Sequence, residues 1–87
     1  MNLCAAIRER LAALDPRTLE LVDESDLHAG HAGAKSGGGH IRLFIVSPRF
    51  SGQPVIARHR LIYTTLGALM QREIHALAIR ALAPEEQ

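Results

Sequence analysis

The stretch HIRLFIVSP, residues 40–48, is rich in the β-branched, aliphatic and aromatic residues that favour a β-strand. Toward its end it becomes apolar on both faces. Ser47-Pro48 closes it, because proline has no backbone N–H to donate to a sheet. Residues 40–47 are therefore predicted to form a strand.

Downstream of this strand, Gly52 and Pro54 open a helical region that reaches about residue 70, breaking into a short first turn and a longer helix. Its positions at helical spacing are Val55, His59, Ile62, Leu66 and Leu69. The segment IHALAIRAL, residues 74–82, is short and apolar enough for a third strand, although its alanines also suit a helix. Ala83-Pro84 ends it.

Upstream, residues 25–39 hold five of the seven glycines and show no apolar period, which predicts a long loop of the kind that often carries function. Residues 19–24, LELVDE, alternate as a strand with the leucines on one face and the glutamates on the other. An amphipathic helix is predicted over about residues 2–14, which Asp15-Pro16 stops. Its apolar positions are Leu3, Ile7, Leu11 and Leu14.

The element order is thus helix, strand, strand, helical pair, strand. This order predicts an α+β fold in which helices cover one small sheet and leave its other face more exposed. A chain of 87 residues suits one domain with one core, so residues 1–87 are expected to act as a single unit.

Composition bounds the class of protein. The chain is 47% hydrophobic and 22% charged, as soluble globular proteins are, and it has no apolar run long enough for a membrane span. A single cysteine, Cys4, cannot form an intramolecular disulfide, so we expect a reducing compartment, the cytoplasm by default.

Charge is unevenly distributed along the chain. Residues 1–39 carry four basic and six acidic groups, whereas residues 40–72 carry five arginines and no acid. Such an asymmetry suits a surface that meets phosphate or an acidic partner, although a merely solvated face is the more common explanation.

Enzyme chemistry has no support in the sequence. No serine or cysteine has a recognisable base at triad spacing. Residues 33–36, GAKS, lack a glycine that a phosphate-binding loop requires, and the GxxG at residues 30–33 lies between two strands instead of two helices. We therefore expect a binding protein and not an enzyme.

Five histidines are the residues most suited to chemistry. His28 and His31 lie in the glycine-rich loop, where they could reach a metal or be ordinary solvated side chains. His75 shares the alternation of Leu77 and Ile79, which by itself favours a partly buried structural role. His59 shares the apolar stripe of its helix, which favours the same.

The segment Arg58-His59-Arg60 is the feature that suits nucleic acid. Arginines contact phosphates or guanine edges, and two helices joined by a tight turn could place one of them in a major groove. The near-zero net charge and three aromatic residues make this a modest footprint.

Taken together, several segments in order resemble the BolA family over roughly residues 3–86. They are Asp23-Glu24-Ser25, His28, Ile45-Val46-Ser47, Phe50-x-Gly52, Arg58-His59-Arg60, Tyr63, Ile74-His75-Ala76-Leu77 and Ala83-Pro84-Glu85. The resemblance implies an αββααβ fold similar to class II KH domains, with a small three-stranded mixed sheet.

The resemblance also implies a partner and a cofactor. BolA-like proteins pair with monothiol glutaredoxins in heterodimers bridged by a [2Fe-2S] cluster, in iron-sulfur trafficking or in iron and redox regulation. The glutaredoxin side supplies a cysteine and a glutathione thiolate. The BolA side supplies the histidine of the IHALA motif, here His75, and a loop ligand, for which His28 fits best and His31 is the reserve. No cofactor is then expected in the isolated chain.

This sequence departs from the family pattern at two places. Many relatives have histidine where this chain has Asp26, and many close with a tryptophan that is missing here. The first departure removes one nearby imidazole. The second bears on packing more than on ligation.

Other functions remain open. The family is also described as transcriptional regulators, with the helical pair around Arg58, His59 and Arg60 acting like a helix-turn-helix on DNA. A purely structural adaptor and a weak homodimer are further alternatives.

Overall fold

The structure is a computed structural model that describes residues 2–24 and 39–87. Three strands and three helices make up these ranges. In chain order they are α1 (Leu3–Leu11), β1 (Thr18–Asp23), β2 (Gly39–Val46), α2 (Val55–Leu66), α3 (Ala68–Arg72) and β3 (Ile74–Leu82). Short 3-10 turns at Ala12–Leu14, Pro48–Phe50 and Pro84–Glu86 complete the order. This confirms the predicted α+β fold with αββααβ order.

The amino-terminal helix forms where the apolar spacing predicts it. The side-chain oxygen of Asn2 caps it by accepting a hydrogen bond of 3.1 Å from the backbone N–H of Ala5. The helix tightens into a 3-10 turn that ends at Leu14, and Asp15 then adopts a left-handed conformation with φ of 51° before the proline. The predicted stop at Asp15-Pro16 is confirmed.

The sheet has the order β1-β2-β3, with β1 antiparallel and β3 parallel to the central strand. Both of the first two strands begin one residue earlier than predicted. Gly39 was predicted to end the loop but is the first residue of β2, where a side chain would collide with the Leu3 Cδ2 atom at 2.5 Å. Residues 25–38 of the predicted loop lie outside the described residues.

The helical connection from β2 to β3 breaks at Gly67, whose φ of 56° and ψ of −127° suit only glycine. The break leaves a long helix followed by a short one, the reverse of the predicted order. Val55 was predicted on the buried stripe and is 65% exposed, because the face of α2 that meets the core runs through Arg58, Ile62 and Leu66.

The core lies between the helices and one face of the sheet. Ile7, Leu11, Ile41, Leu43, Ile45, Phe50, Ile62 and Leu66 are almost completely buried there. The opposite face of the sheet carries exposed side chains, as predicted. Within the described residues, no helix is long and apolar enough to cross a membrane.

Candidate functional site

His75 occupies a β-bulge at the start of β3. Gly39 pairs with Ile74 and His40 pairs with Ala76, so His75 is the extra residue between two register positions. Its side chain is exposed, although simple alternation with Leu77 and Ile79 predicted a partly buried structural histidine. That interpretation is wrong because the bulge interrupts the alternation and turns the imidazole away from the core.

His40 is the neighbour of His75 across the bulge. The two ring centroids lie 5.1 Å apart, with the ring planes tilted by 41°. His40 stands at the beginning of the central strand, is half-buried, and accepts a hydrogen bond of 2.7 Å on its carbonyl oxygen from the backbone N–H of Glu24. We did not predict a role for it. The only signal in the sequence was its position between the glycine-rich segment and the strand.

The histidine pair, defined as His40 and His75, stands at one end of the sheet. The two residues that flank the segment 25–38 are Glu24 and Gly39, and both lie beside this pair through the hydrogen bond to His40 and the register with Ile74. His28 and His31 belong to that segment and lie outside the described residues. Their predicted role as the second ligand therefore stays a prediction.

The donor set of the pair determines what it can bind. Imidazole nitrogens ligate iron, zinc and copper when neutral. In residues 2–24 and 39–87, no group of three or more histidine, cysteine or acidic side chains is placed to hold a metal ion. The described part of this chain thus offers a partial set of nitrogen donors that other groups would have to complete.

Arg58 is part of the fold. It is buried, with 6% of its surface exposed, and its guanidinium donates hydrogen bonds to the carbonyl oxygens of Gln53 at 2.7 Å and Ala81 at 3.0 Å. It also pairs with both carboxylate oxygens of Glu86, at 2.5 and 2.8 Å. These contacts occupy the guanidinium donors that a DNA phosphate would need. In the free chain Arg58 is therefore engaged within the fold, contrary to our prediction that it contacts DNA.

The pKa values of Arg58 and Glu86 both shift in the direction that an ion pair between them produces. The hydrogen bond from Arg58, followed by that from the backbone N–H of Ala83, lowers the pKa of Glu86 from 4.5 to about 2. The same carboxylate raises the pKa of Arg58 above its ordinary value, mainly through the hydrogen bond. Arg58 therefore ties α2 to the end of β3 and to the turn that follows it.

The rest of the predicted DNA-binding segment is more accessible. Arg60 is exposed, while His59 is half-buried with its ring edge toward Tyr63 at a centroid distance of 6.5 Å. The second helix of the pair, α3, has only five residues. Of the three residues predicted to contact DNA, Arg60 is the one whose charge is directed to solvent.

Comparison with known proteins agrees with this architecture. A family model described as BolA-like protein matches residues 11–86. BolA-like protein 1 of Mus musculus is 43% identical over 83 residues, which is 94% of this chain and 58% of that protein. The DNA-binding transcriptional regulator BolA of Escherichia coli is 41% identical over 85 residues, which is 92% of this chain and 78% of that protein.

A plant protein and its solved domain extend the comparison. SufE-like protein 1 of Arabidopsis thaliana is 44% identical over 86 residues, covering 92% of this chain and 23% of that protein. The structure of its BolA domain superposes with a TM-score of 0.86 at 42% identity, covering 100% of this chain and 98% of the domain. The chain thus spans about 58% of the mouse relative and less than a quarter of the plant one. The sequence match across most of the chain and the shared fold together establish that this chain belongs to the BolA family.

Proposed function

We propose that this protein pairs with a monothiol glutaredoxin and shares a [2Fe-2S] cluster with it, in iron-sulfur trafficking or in iron and redox regulation. The observation that carries the proposal is the exposed imidazole of His75, held on a bulge beside His40. A buried structural histidine needs no bulge. An exposed imidazole on a paired strand suits a ligand that meets a partner protein.

The described residues offer two neighbouring imidazoles, which suits a chain that supplies part of the ligand set of a shared cluster. His75 and His28, with His31 as the reserve, would supply the nitrogens from this chain. The glutaredoxin cysteine and a glutathione thiolate would supply the sulfurs. A [2Fe-2S] cluster supplies one-electron redox chemistry, and neutral imidazole in place of thiolate raises its reduction potential. The role of this chain is to place the nitrogens and to bind the partner, without catalysing a reaction.

The direct test is co-expression with a monothiol glutaredoxin, followed by gel filtration and visible circular dichroism of the purified pair. We expect a coloured heterodimer whose spectrum changes in His75→Ala. His28→Ala should have a smaller effect, which His28→Ala combined with His31→Ala should enlarge. His59→Ala, on the far helix, is the matched control.

Two results would contradict the proposal. One is a failure of the two wild-type proteins to form a complex. The other is a His75→Ala heterodimer with the spectrum and cluster stability of the wild type, which would return His75 to a structural role.

A second candidate function is regulation of transcription through DNA. The observation that favours it is the 41% identity to a relative named a DNA-binding transcriptional regulator. Because Arg58 is engaged in the fold, the candidate contacts reduce to Arg60, with His59 beside it. Salt-dependent binding to duplex DNA that weakens in Arg60→Ala supports this function, and wild-type affinity and salt slope in that variant remove the helix as a DNA contact.

A further inference from the structure

The face of the sheet that the helices leave open has an ordered pattern of side chains. Strand register places Glu20, Phe44 and Arg80 in one row across β1, β2 and β3, and Val22, Arg42 and Ala78 in the next. The acid lies on β1 and the two arginines lie on β2 and β3. We call the surface formed by Glu20, Arg42, Phe44, Ala78 and Arg80 the open-face groove.

This groove is large enough for one nucleotide. Its volume is about 460 Å³, within the range of small-molecule sites. Ala78 has too small a side chain to fill the space beside the longer residues of β2. The groove therefore exists because Ala78 on β3 has a small side chain.

The aromatic ring at the centre of the groove already has a flat group over its face. Phe44 is half-buried, and the guanidinium of Arg80 lies over its ring, 5.7 Å from the centroid. A guanidinium in that position is a planar group on the π face. A nucleobase can take the same place, because Arg80 is exposed and free to turn aside toward a phosphate.

The charged side chains around the Phe44 ring match the parts of a nucleotide: arginines suit its phosphate, and a carboxylate suits a base amine. Arg42 keeps 65% of its side chain exposed despite an ion pair with Glu24 at 3.3 Å, and an exposed pair of this kind is weak enough to exchange for a phosphate. Glu20, at the other end of the row, is an acceptor for an exocyclic amine.

We propose that the open-face groove binds single-stranded nucleic acid, with one base stacked on Phe44, the adjacent phosphates on Arg42 and Arg80, and Glu20 favouring cytosine or adenine over thymine. Aromatic stacking combined with arginine contacts on a sheet is a general way of binding single strands. A second copy of this chain is a poorer occupant, since a groove with three charged side chains is too polar for a stable sheet sandwich.

The proposed site is distinct from both sites considered above. Phe44 is four residues along β2 from His40, about 13 Å at the usual rise of a strand. The groove lies on the opposite face of the sheet from the helices that carry Arg60. Arg42 lies only two residues from His40 and pairs with Glu24, whose backbone N–H binds His40. Changes at Phe44 and Arg80 are therefore the ones that test this inference separately from cluster binding, and they leave α2 untouched.

The test measures fluorescence anisotropy of labelled single-stranded oligodeoxycytidine with the full chain at low salt. We expect saturable binding that weakens on the order of tenfold in both Phe44→Ala and Phe44→Leu, since leucine preserves the apolar volume without a ring to stack on. Arg42→Ala and Arg80→Ala should each lower the salt slope by about 0.7. Glu20→Gln should reduce the preference for cytosine over thymine. Arg10→Ala, at an exposed arginine of α1 on the helix side of the sheet, is the matched control that binds as the wild type does.

Amide shifts from NMR make the result independent of the stability of any one variant. In the wild-type chain, addition of the oligonucleotide should shift residues 42–44 and 78–80 and leave α2 unchanged. Shifts confined to α2, binding that survives Phe44→Leu, or the absence of saturable binding each overturn the proposal. Concentration-dependent dimerisation that Phe44→Ala abolishes also overturns it, by giving the face another occupant.

Discussion

The guanidinium of Arg58 and the carboxylate of Glu86, 28 positions apart in the chain, form a bidentate ion pair, with Nη1–Oε1 at 2.5 Å and Nη2–Oε2 at 2.8 Å. The same guanidinium binds the carbonyl oxygen of Ala81, and the same carboxylate binds the backbone N–H of Ala83. One side-chain pair thus holds the middle helix against the end of the last strand. In this chain the first arginine of the RHR segment serves the fold.

Arg58→Ala should destabilise the domain strongly. It leaves the partly buried backbone carbonyl of Ala81 without this donor, and a polar group left unsatisfied on burial costs about 1–3 kcal/mol. The free energy of unfolding of Arg58→Lys should lie between those of the wild type and of Arg58→Ala, because an ammonium cannot reproduce the planar arrangement of guanidinium donors. Urea denaturation measures this, with exposed Arg60→Ala as a control expected within about 0.5 kcal/mol of the wild type. Equal losses at both positions would contradict the structural role of Arg58.

Stability should depend on pH through Glu86. Its pKa falls from 4.5 to about 2 on folding, so its carboxylate contributes stability that is fully present above pH 4.5 and is lost as the pH falls toward 2. Glu86→Gln should be less stable than the wild type at neutral pH, and the difference should shrink across that window. Denaturation midpoints of both proteins measured from pH 7 to pH 2 provide the check. A difference that stays constant down to pH 2 would show that the ion pair does not form.

Gly67→Ala should destabilise the domain by about 1–3 kcal/mol, because the backbone there has φ of 56° and ψ of −127°. Asparagine, which often replaces glycine in the left-handed helical region, should not rescue this position since that ψ lies outside the region. Thermal unfolding of Gly67→Ala and Gly67→Asn compares the two. Stability restored by asparagine would place the residue in the ordinary left-handed conformation.

His40 should influence a cluster held by His75 through packing of its ring. If the proposed heterodimer forms, His40→Ala should lose its cluster faster than the wild type, because His75 loses the neighbour 5.1 Å away. His40→Phe restores a ring without a nitrogen donor and should recover most of that lifetime. The decay of visible absorbance after purification measures both. Equal decay of the two variants would instead mean that a nitrogen of His40 takes part.

Much of the architecture could be read from local sequence patterns. The spacing of Leu3, Ile7 and Leu11 predicts α1, and prolines mark the ends of three elements. The short apolar run of residues 74–82, whose alanines also suit a helix, coincides with β3. Such features depend on neighbours a few residues away, so local reasoning reaches them. The segments that resemble the BolA family also sufficed to predict the fold, which the structure confirms.

The sequence by itself determined the order of elements and the family, and through the family resemblance it named His75 as a candidate ligand. The tertiary structure decided which way the decisive side chains face. His75 is exposed because pairing with β2 creates a bulge, and His40 on the adjacent strand becomes its neighbour. Arg58 pairs with the carboxylate of Glu86, 28 residues later in the chain. Each of these features depends on contacts between segments that are distant in the sequence. The periodicity within one element cannot predict such contacts.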